Sequence, residues 1–275
     1  MAPKTDFPRV RACLFDMDGL LLDTEDLYTL CINIILEKYG KPSLPWSIKA
    51  QLQGRPGPEA NKIFNDWAQL PIDYDEYMHQ LTALQHQLFP TAKPLPGVPQ
   101  LLKDLSGTEK SDAAHRVHIA LATSSHAANF KLKSDHLQDL FSVFPNERRV
   151  LGDDSRLERG RGKPLPDIFL LSLKTINDSL PAGEEPIKPE ECLVFEDSVP
   201  GVEAGRRAGM RVIWCPHPKL KEEFAGREEE VLAARTGAGG GVDVHQLGEL
   251  CDGWAEYLPT LENFPYEKYD IKIAA

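Results

Sequence analysis

Four short apolar runs constrain this chain most: residues 10–15 (VRACLF), 117–122 (VHIALA), 192–195 (CLVF) and 210–214 (MRVIW). Runs of this length, bounded by turn residues, read as buried strands. A weaker run lies at 149–151. Around them the apolar spacing becomes helical, at residues 97–105, 126–144, 166–176 and 201–208. Strands alternating with helices imply βαβ units around a parallel sheet, so the expected fold class is α/β.

A second texture interrupts this alternation. After the first run, Leu27, Leu30, Cys31, Ile34 and Ile35 repeat at helical spacing until Gly40 and Pro42. Ala60, Ile63, Phe64, Trp67 and Leu70 form another stripe, stopped by Pro71. Tyr74, Tyr77, Met78, Leu81, Leu84 and Leu88 form a third, stopped by Pro90. No strand-like run falls among them. Residues 24–93 are therefore expected to be a helical insert after the first strand, with 1–23 and 94–275 forming one discontinuous core. Residues 105–116 and 177–191 read as surface insertions. The acidic run at 221–230 reads as a solvated helix face, and TGAGGG at 236–241 as a flexible link. Trp254, Tyr257, Tyr266 and Tyr269 are candidates to pack back on the core, at a place the sequence does not specify.

The net charge of −11 excludes general nucleic-acid binding, which needs a basic face. The five cysteines are scattered and form no C-x-x-C pair, which argues against a disulfide framework or a zinc cluster. Cys13 and Cys192 lie in strand-like runs and read as small core residues. The opening residues MAPKTDFPRVRA lack the apolar segment of a signal peptide. No run approaches the roughly 18 apolar residues of a membrane span. The expected setting is the cytoplasm, with no membrane and no obligate protein partner.

The strand ends carry the polar residues. The first run ends in Asp16, with Asp18 and Gly19 just beyond; the second in Thr123, Ser124 and Ser125; the third in Glu196 and Asp197. One such tip alone could be a turn, since Asp and Gly suit turns. In an open parallel sheet, however, all these tips lie at the edge where ligands bind. Carboxylates brought together there repel unless a cation joins them, and clustered oxygen ligands favour Mg²⁺. A carboxylate can attack phosphorus, and a second can move the protons. Lys163, in GRGKPLPDIF, can offer a compact positive charge to a phosphate. Thr123 can donate its hydroxyl to a phosphoryl oxygen, and the amide of Ser124 can donate too.

FDMDG at 15–19, ATS at 122–124, GKPLPDIF at 162–169 and FEDS at 195–198, in this order, resemble the four motifs of the haloacid dehalogenase superfamily of phosphohydrolases. The resemblance implies a Rossmann-like core and makes the helical insert a cap. It implies that Asp16 is the nucleophile and Asp18 the general acid/base. It implies Mg²⁺ held by the Asp16 carboxylate, the Asp18 backbone carbonyl and Asp197, with Glu196 binding directly or through water. It makes Thr123, Ser124 and Lys163 the phosphate grip. The cap turn, with Gly54 and Arg55, becomes the expected cap contribution, with Arg55 open between substrate contact and surface residue. LLLDTE, ALATSS, VLGDD and CLVFEDSVPGVEAGRRAGM further resemble the pseudouridine-5′-phosphatase-like branch. The expected activity is Mg²⁺-dependent hydrolysis of a small phosphorylated metabolite, nucleotide-like (such as pseudouridine 5′-phosphate) or a sugar phosphate.

Two rivals remain at this point. A phosphosugar mutase of the β-phosphoglucomutase type shares the motifs, but carries a histidine ten residues after its second motif aspartate, where this chain has Tyr28. A non-catalytic binding or regulatory protein would not need Asp16, Asp18, Lys163 and Asp197 all intact.

Overall fold

Ala12, Cys13, Leu14 and Phe15 are all wholly buried and form the central strand of the sheet, β1 (Ala12–Phe15). The computed structural model describes residues 3–55, 57–108, 115–237 and 247–273. β1 is joined by β2 (His118–Ala122), β3 (Arg149–Val150), β4 (Cys192–Glu196), β5 (Arg211–Trp214) and β6 (Ala255–Tyr257). The order is β3-β2-β1-β4-β5-β6 and every pairing is parallel. Phe15 stands opposite Leu121 on one side and Phe195 on the other. That register brings Asp16, Thr123 and Glu196 out at nearly one level.

Successive residues of a strand point to opposite faces, and both faces of this sheet are covered. Cys13, Phe15, Ile119, Leu121 and Phe195 pack with Leu101, Leu102 and Leu105 of α5 (Val98–Gly107). Ala12, Leu14, Ala120 and Val194 pack on the other face with Ile168 and Phe169 of α8 (Asp167–Asp178) and Val202 of α9 (Val199–Arg207).

Between β1 and β2 lie α1 (Thr24–Lys38), α2 (Trp46–Leu52), α3 (Gly57–Ala68) and α4 (Tyr74–Leu88). They share their own apolar cluster of Cys31, Ile35, Leu36, Phe64, Tyr77, Leu81 and Phe89. The three sequence stripes correspond to α1, α3 and α4. The fourth helix, α2, has no such stripe. It lies against the core, with Trp46 stacked on His217 at 4.6 Å.

The expected helix over 126–144 is broken into α6 (Ala127–Ser134), a 3₁₀ turn at Asp135–Leu137, and α7 (Gln138–Phe141). Ser134 Oγ donates back to the Phe130 carbonyl at 2.8 Å, a bond that bends helices. The stretch 177–191 lies at the surface, about half of it exposed, yet is anchored: Ile187 is buried, and Glu184 pairs with Arg116 and His118. Within the other expected insertion, Thr108 is buried and bonded to Val117, while residues 109–114 lie outside the described residues. Of the expected link at 236–241, residues 238–241 also lie outside them. The acidic run falls on α10 (Pro218–Glu223) and α11 (Glu228–Leu232), where Lys221 pairs with Glu228 and Arg227 with Glu230.

The C-terminal aromatics find a definite place. Phe264 stacks on Tyr269 and lies 5.3 Å from the Phe195 ring. The Val10 amide donates to the Tyr269 carbonyl at 3.2 Å. Among the described residues, no helix is long and apolar enough to cross a membrane.

Candidate active site

β1 ends one residue before Asp16, and the chain must then turn sharply. Gly19 makes that turn with φ +76°, and the amides of Leu21 and Leu22 donate to the Met17 carbonyl at 2.9 and 3.1 Å. A side chain at Gly19 would also place its Cβ 2.2 Å from Asp197 Oδ2. The glycine serves the turn and the close approach of the two acidic loops together.

Asp16 sits among charges of its own sign. One oxygen from each of Asp16, Glu196 and Asp197 lies within 4.8 Å of the others, and all three residues are buried. Lys163, itself buried, donates to both Asp16 Oδ1 and Glu196 Oε1. Burial pushes the Asp16 carboxyl up to about 7 against the pull of the Lys163 ammonium, and Glu196 and Asp18 add to the rise. Burial likewise raises Asp197 well above the ordinary carboxylate range, with Glu196 and Asp16 contributing. Glu196 is steadied by Ser198, whose amide and hydroxyl donate to Oε2 at 3.2 and 3.0 Å. The same hydroxyl accepts from the Gly201 amide at 3.1 Å and caps α9.

Asp18 sits among donors. Thr24 Oγ1 and Lys133 Nζ both donate to its Oδ1 at 2.6 Å, and Ser125 Oγ donates to Oδ2 at 2.6 Å. Burial works to raise the Asp18 carboxyl, but the Lys133 ammonium and the three hydrogen bonds outweigh it and hold it below the usual range. Its side chain takes no part in the oxygen cluster of Asp16, Glu196 and Asp197.

Fully ionised, the three carboxylates would exceed the single ammonium of Lys163 by two charges, the repulsion that raises Asp16 and Asp197. An all-oxygen donor set with that excess suits a hard divalent cation such as Mg²⁺. A buried Gln53 Oε1 without a hydrogen-bond partner lies at the same place, since Gln53 Nε2 donates to Asp197 Oδ2. The residues present therefore fit the ion.

The other sequence-selected residues fall as follows. Thr123 follows β2 and is fully buried, its Oγ1 accepting from the Ser125 amide at 3.1 Å. Ser124 lies in the same loop, packed so closely that a Cβ at Gly152 would be 2.1 Å from its carbonyl oxygen. Gly54 follows α2 with φ +73°, and a Cβ there would meet Ser198 Oγ at 2.3 Å. The turn after α2 thus touches the acidic loop through Gln53 and Gly54. Arg55 Nε donates to the Gln51 carbonyl at 2.7 Å, and its guanidinium pairs with Glu59 at 3.5 Å.

Sequence reasoning missed Thr24 and Lys133, named Gln53 only as part of the cap turn at 52–55, and saw Ser198 and Ser125 only as parts of a motif and a polar strand end. For Ser198 the signal was present, because Ser followed by Val-Pro-Gly is an N-cap pattern with proline at the second helical position. Lys133 carried no such signal, since a lysine in FKLKS reads as a solvated helix residue.

Comparison with known proteins places this geometry. A family model described as a haloacid dehalogenase-like hydrolase matches residues 10–209. The "Probable pseudouridine-5′-phosphatase" of Saccharomyces cerevisiae is 45% identical over 262 residues, covering 95% of this chain and 98% of that protein. The (DL)-glycerol-3-phosphatase 2 of Arabidopsis thaliana is 35% identical over 223 residues, covering 80% of this chain and 85% of its own length. The crystal structure of CbbY from Rhodobacter sphaeroides in complex with phosphate superposes with a TM-score of 0.63 at 20% identity, over 95% of this chain and 100% of that one. That likeness is one of fold.

Proposed function

This chain belongs to the haloacid dehalogenase-like hydrolase family, and from that premise we propose that it hydrolyses small phosphorylated metabolites through an aspartyl-phosphate on Asp16. It is a phosphatase, as its named relatives are. The observation that carries the mechanism is the pair Asp16 and Asp18, each held by its own buried lysine at the carboxyl edge of the sheet.

Asp16 Oδ attacks phosphorus and the bond to the leaving alcohol breaks. Asp18, which must take up a proton before this step, gives it to that alcohol. In the second step Asp18 takes a proton from water, the water oxygen bonds to phosphorus, and inorganic phosphate leaves Asp16. Held below the usual carboxylate range, Asp18 is the better prepared for the second step. Asp16, Glu196, Asp197 and the Asp18 carbonyl would hold Mg²⁺, which would neutralise charge around the phosphoryl group. Lys163, with Thr123 and Ser124, supplies the phosphate grip.

The helical insert at 24–93 serves as a cap over the core formed by 1–23 and 94–275. Gln53 and Gly54 at the acidic loop support this, because they bring the insert to the metal ligands. The relatives' names point to two substrate types, pseudouridine 5′-phosphate and glycerol 3-phosphate. The five free thiols suit a reducing cytoplasm. Hydrolysis is favoured over mutase chemistry by Tyr28, whose hydroxyl accepts from Lys133 at 3.2 Å; a phenol is a poor proton carrier near neutral pH.

The test is phosphate release from a panel of nucleoside, sugar and glycerol monophosphates. Stoichiometric release that needs Mg²⁺ and stops in excess chelator is expected. Migration of phosphate around a sugar with little free phosphate would overturn the reading, as would full activity in chelator.

A further inference from the structure

We propose that Lys133 is a positioning residue for Asp18, locking the acid–base carboxylate into one orientation by spending all three of its N–H donors on the network around it. The inference rests on the acid–base role given to Asp18 above.

Lys133 lies on α6, and its side chain is wholly buried. An ammonium has three donors and no acceptor. The three partners are Asp18 Oδ1 at 2.6 Å, Ser125 Oγ at 2.6 Å and Tyr28 OH at 3.2 Å. Ser125 has a single hydroxyl proton, which it gives to Asp18 Oδ2 at 2.6 Å, so its oxygen is left to accept from Lys133. The lysine thus holds one carboxylate oxygen directly and orients the hydroxyl that holds the other. Neither oxygen can rotate without breaking a charge-assisted bond.

The ammonium is in turn held in place by the helical insert. It lies 5.1 Å from the Tyr28 ring centroid and 5.2 Å from that of Phe89, and those two rings pack edge to face at 4.8 Å. Tyr28 is on α1 and Phe89 directly follows α4. Thr24, the remaining donor to Asp18, begins α1. The orientation of Asp18 is therefore built from both the core and the insert. A carboxylate held to one direction is what proton transfer at a fixed oxygen requires, since a small misplacement of a catalytic group is costly.

The experiment is a double-substitution cycle of Lys133→Met and Asp18→Asn, in the full chain with Mg²⁺, read as kcat and KM for glycerol 3-phosphate and for p-nitrophenyl phosphate. If Lys133 acts through Asp18, Lys133→Met lowers kcat by on the order of 10²-fold, within the span of acid–base losses, and leaves KM nearly unchanged. The double variant is then no slower than Asp18→Asn alone. Lys133→Arg, which keeps the charge but not three tetrahedral donors, gives an intermediate loss and stands in should Lys133→Met fail to fold. Losses that multiply in the double variant, or wild-type kcat in Lys133→Met or Lys133→Arg, would overturn the inference. A wild-type protein that releases no phosphate from these two substrates or from pseudouridine 5′-phosphate would instead sink the phosphatase reading.

Discussion

Asp16 faces two further carboxylates and one ammonium; Asp18, two residues on, faces two hydroxyls and an ammonium. The first is pushed up to about 7 and the second is held below its ordinary value. The residue type is the same and both are buried. What differs is the balance of partners: around Asp16 the negative charges exceed the positive, and around Asp18 donors saturate both oxygens. One environment calls for a cation and the other excludes it. On the proposed mechanism, two acids two residues apart divide nucleophile and proton carrier between them, with only the Asp16 side chain directed to the ion.

Substitutions can break this contrast. The largest effect is expected from Asp16→Asn, which removes the proposed nucleophile and should lower phosphate release by on the order of 10⁴-fold or more. Steady-state assay of the purified variant checks it, and wild-type turnover would end the aspartyl-phosphate mechanism. Next comes Asp18→Asn, expected to cost about 10²–10⁴-fold, the range for lost acid–base catalysis. The loss should be heavier for glycerol 3-phosphate than for p-nitrophenyl phosphate, because a nitrophenolate leaves without a proton. An equal loss on both would remove the leaving-group step from Asp18.

Metal binding sharpens the contrast without any turnover. At Mg²⁺ about a hundredfold above Kd, binding should stabilise the fold by about 2.7 kcal/mol, seen as a rise in Tm. Asp18→Asn should keep that rise, since its side chain stands outside the oxygen cluster, while Asp197→Asn should lose most of it. Equal loss in both variants would show that the two sides of the loop are not separate. The smallest effect is expected from Ser198→Ala, which removes the α9 cap and one bond to Glu196 and should cost about 1 kcal/mol in a denaturant melt.

The two sides were not equally legible in the sequence. Asp16, Glu196 and Asp197 follow apolar runs directly, so finding the strands finds the residues. Lys163 stands in a recognisable motif. The donors of Asp18 come from elsewhere. Lys133 is on a helix face whose burial depends on Tyr28 and Phe89, residues that reach it only once the insert has folded back. Thr24 read as the start of a helix rather than as a hydrogen-bond donor. The α2 helix was invisible because WSIKAQL is only seven residues long and splits its apolar side chains: Trp46 packs on His217 of the core, while Ile48 and Leu52 pack on the insert's own cluster. The strands and the helical stripes at 27–35, 60–70 and 74–88 followed from local pattern, whereas the strand order and the contacts between these helices and the sheet depended on tertiary geometry that no local pattern encodes.

The bond from Val10 to Tyr269 has a consequence for how the molecule is made. β1 is the central strand and the first to leave the ribosome, yet Phe264, Tyr269 and Ile271 belong to the cluster that covers one of its faces. During synthesis Leu101, Leu102 and Leu105 of α5 can cover part of that face early, but the part under Phe264, Tyr269 and Ile271 stays open until the last residues have been produced. Contacts between such distant positions close slowly, because a long loop must be ordered before it is rewarded. The nascent chain thus carries apolar surface of its central strand that is closed only by its last residues, and surface exposed in that way is prone to aggregation until it is covered.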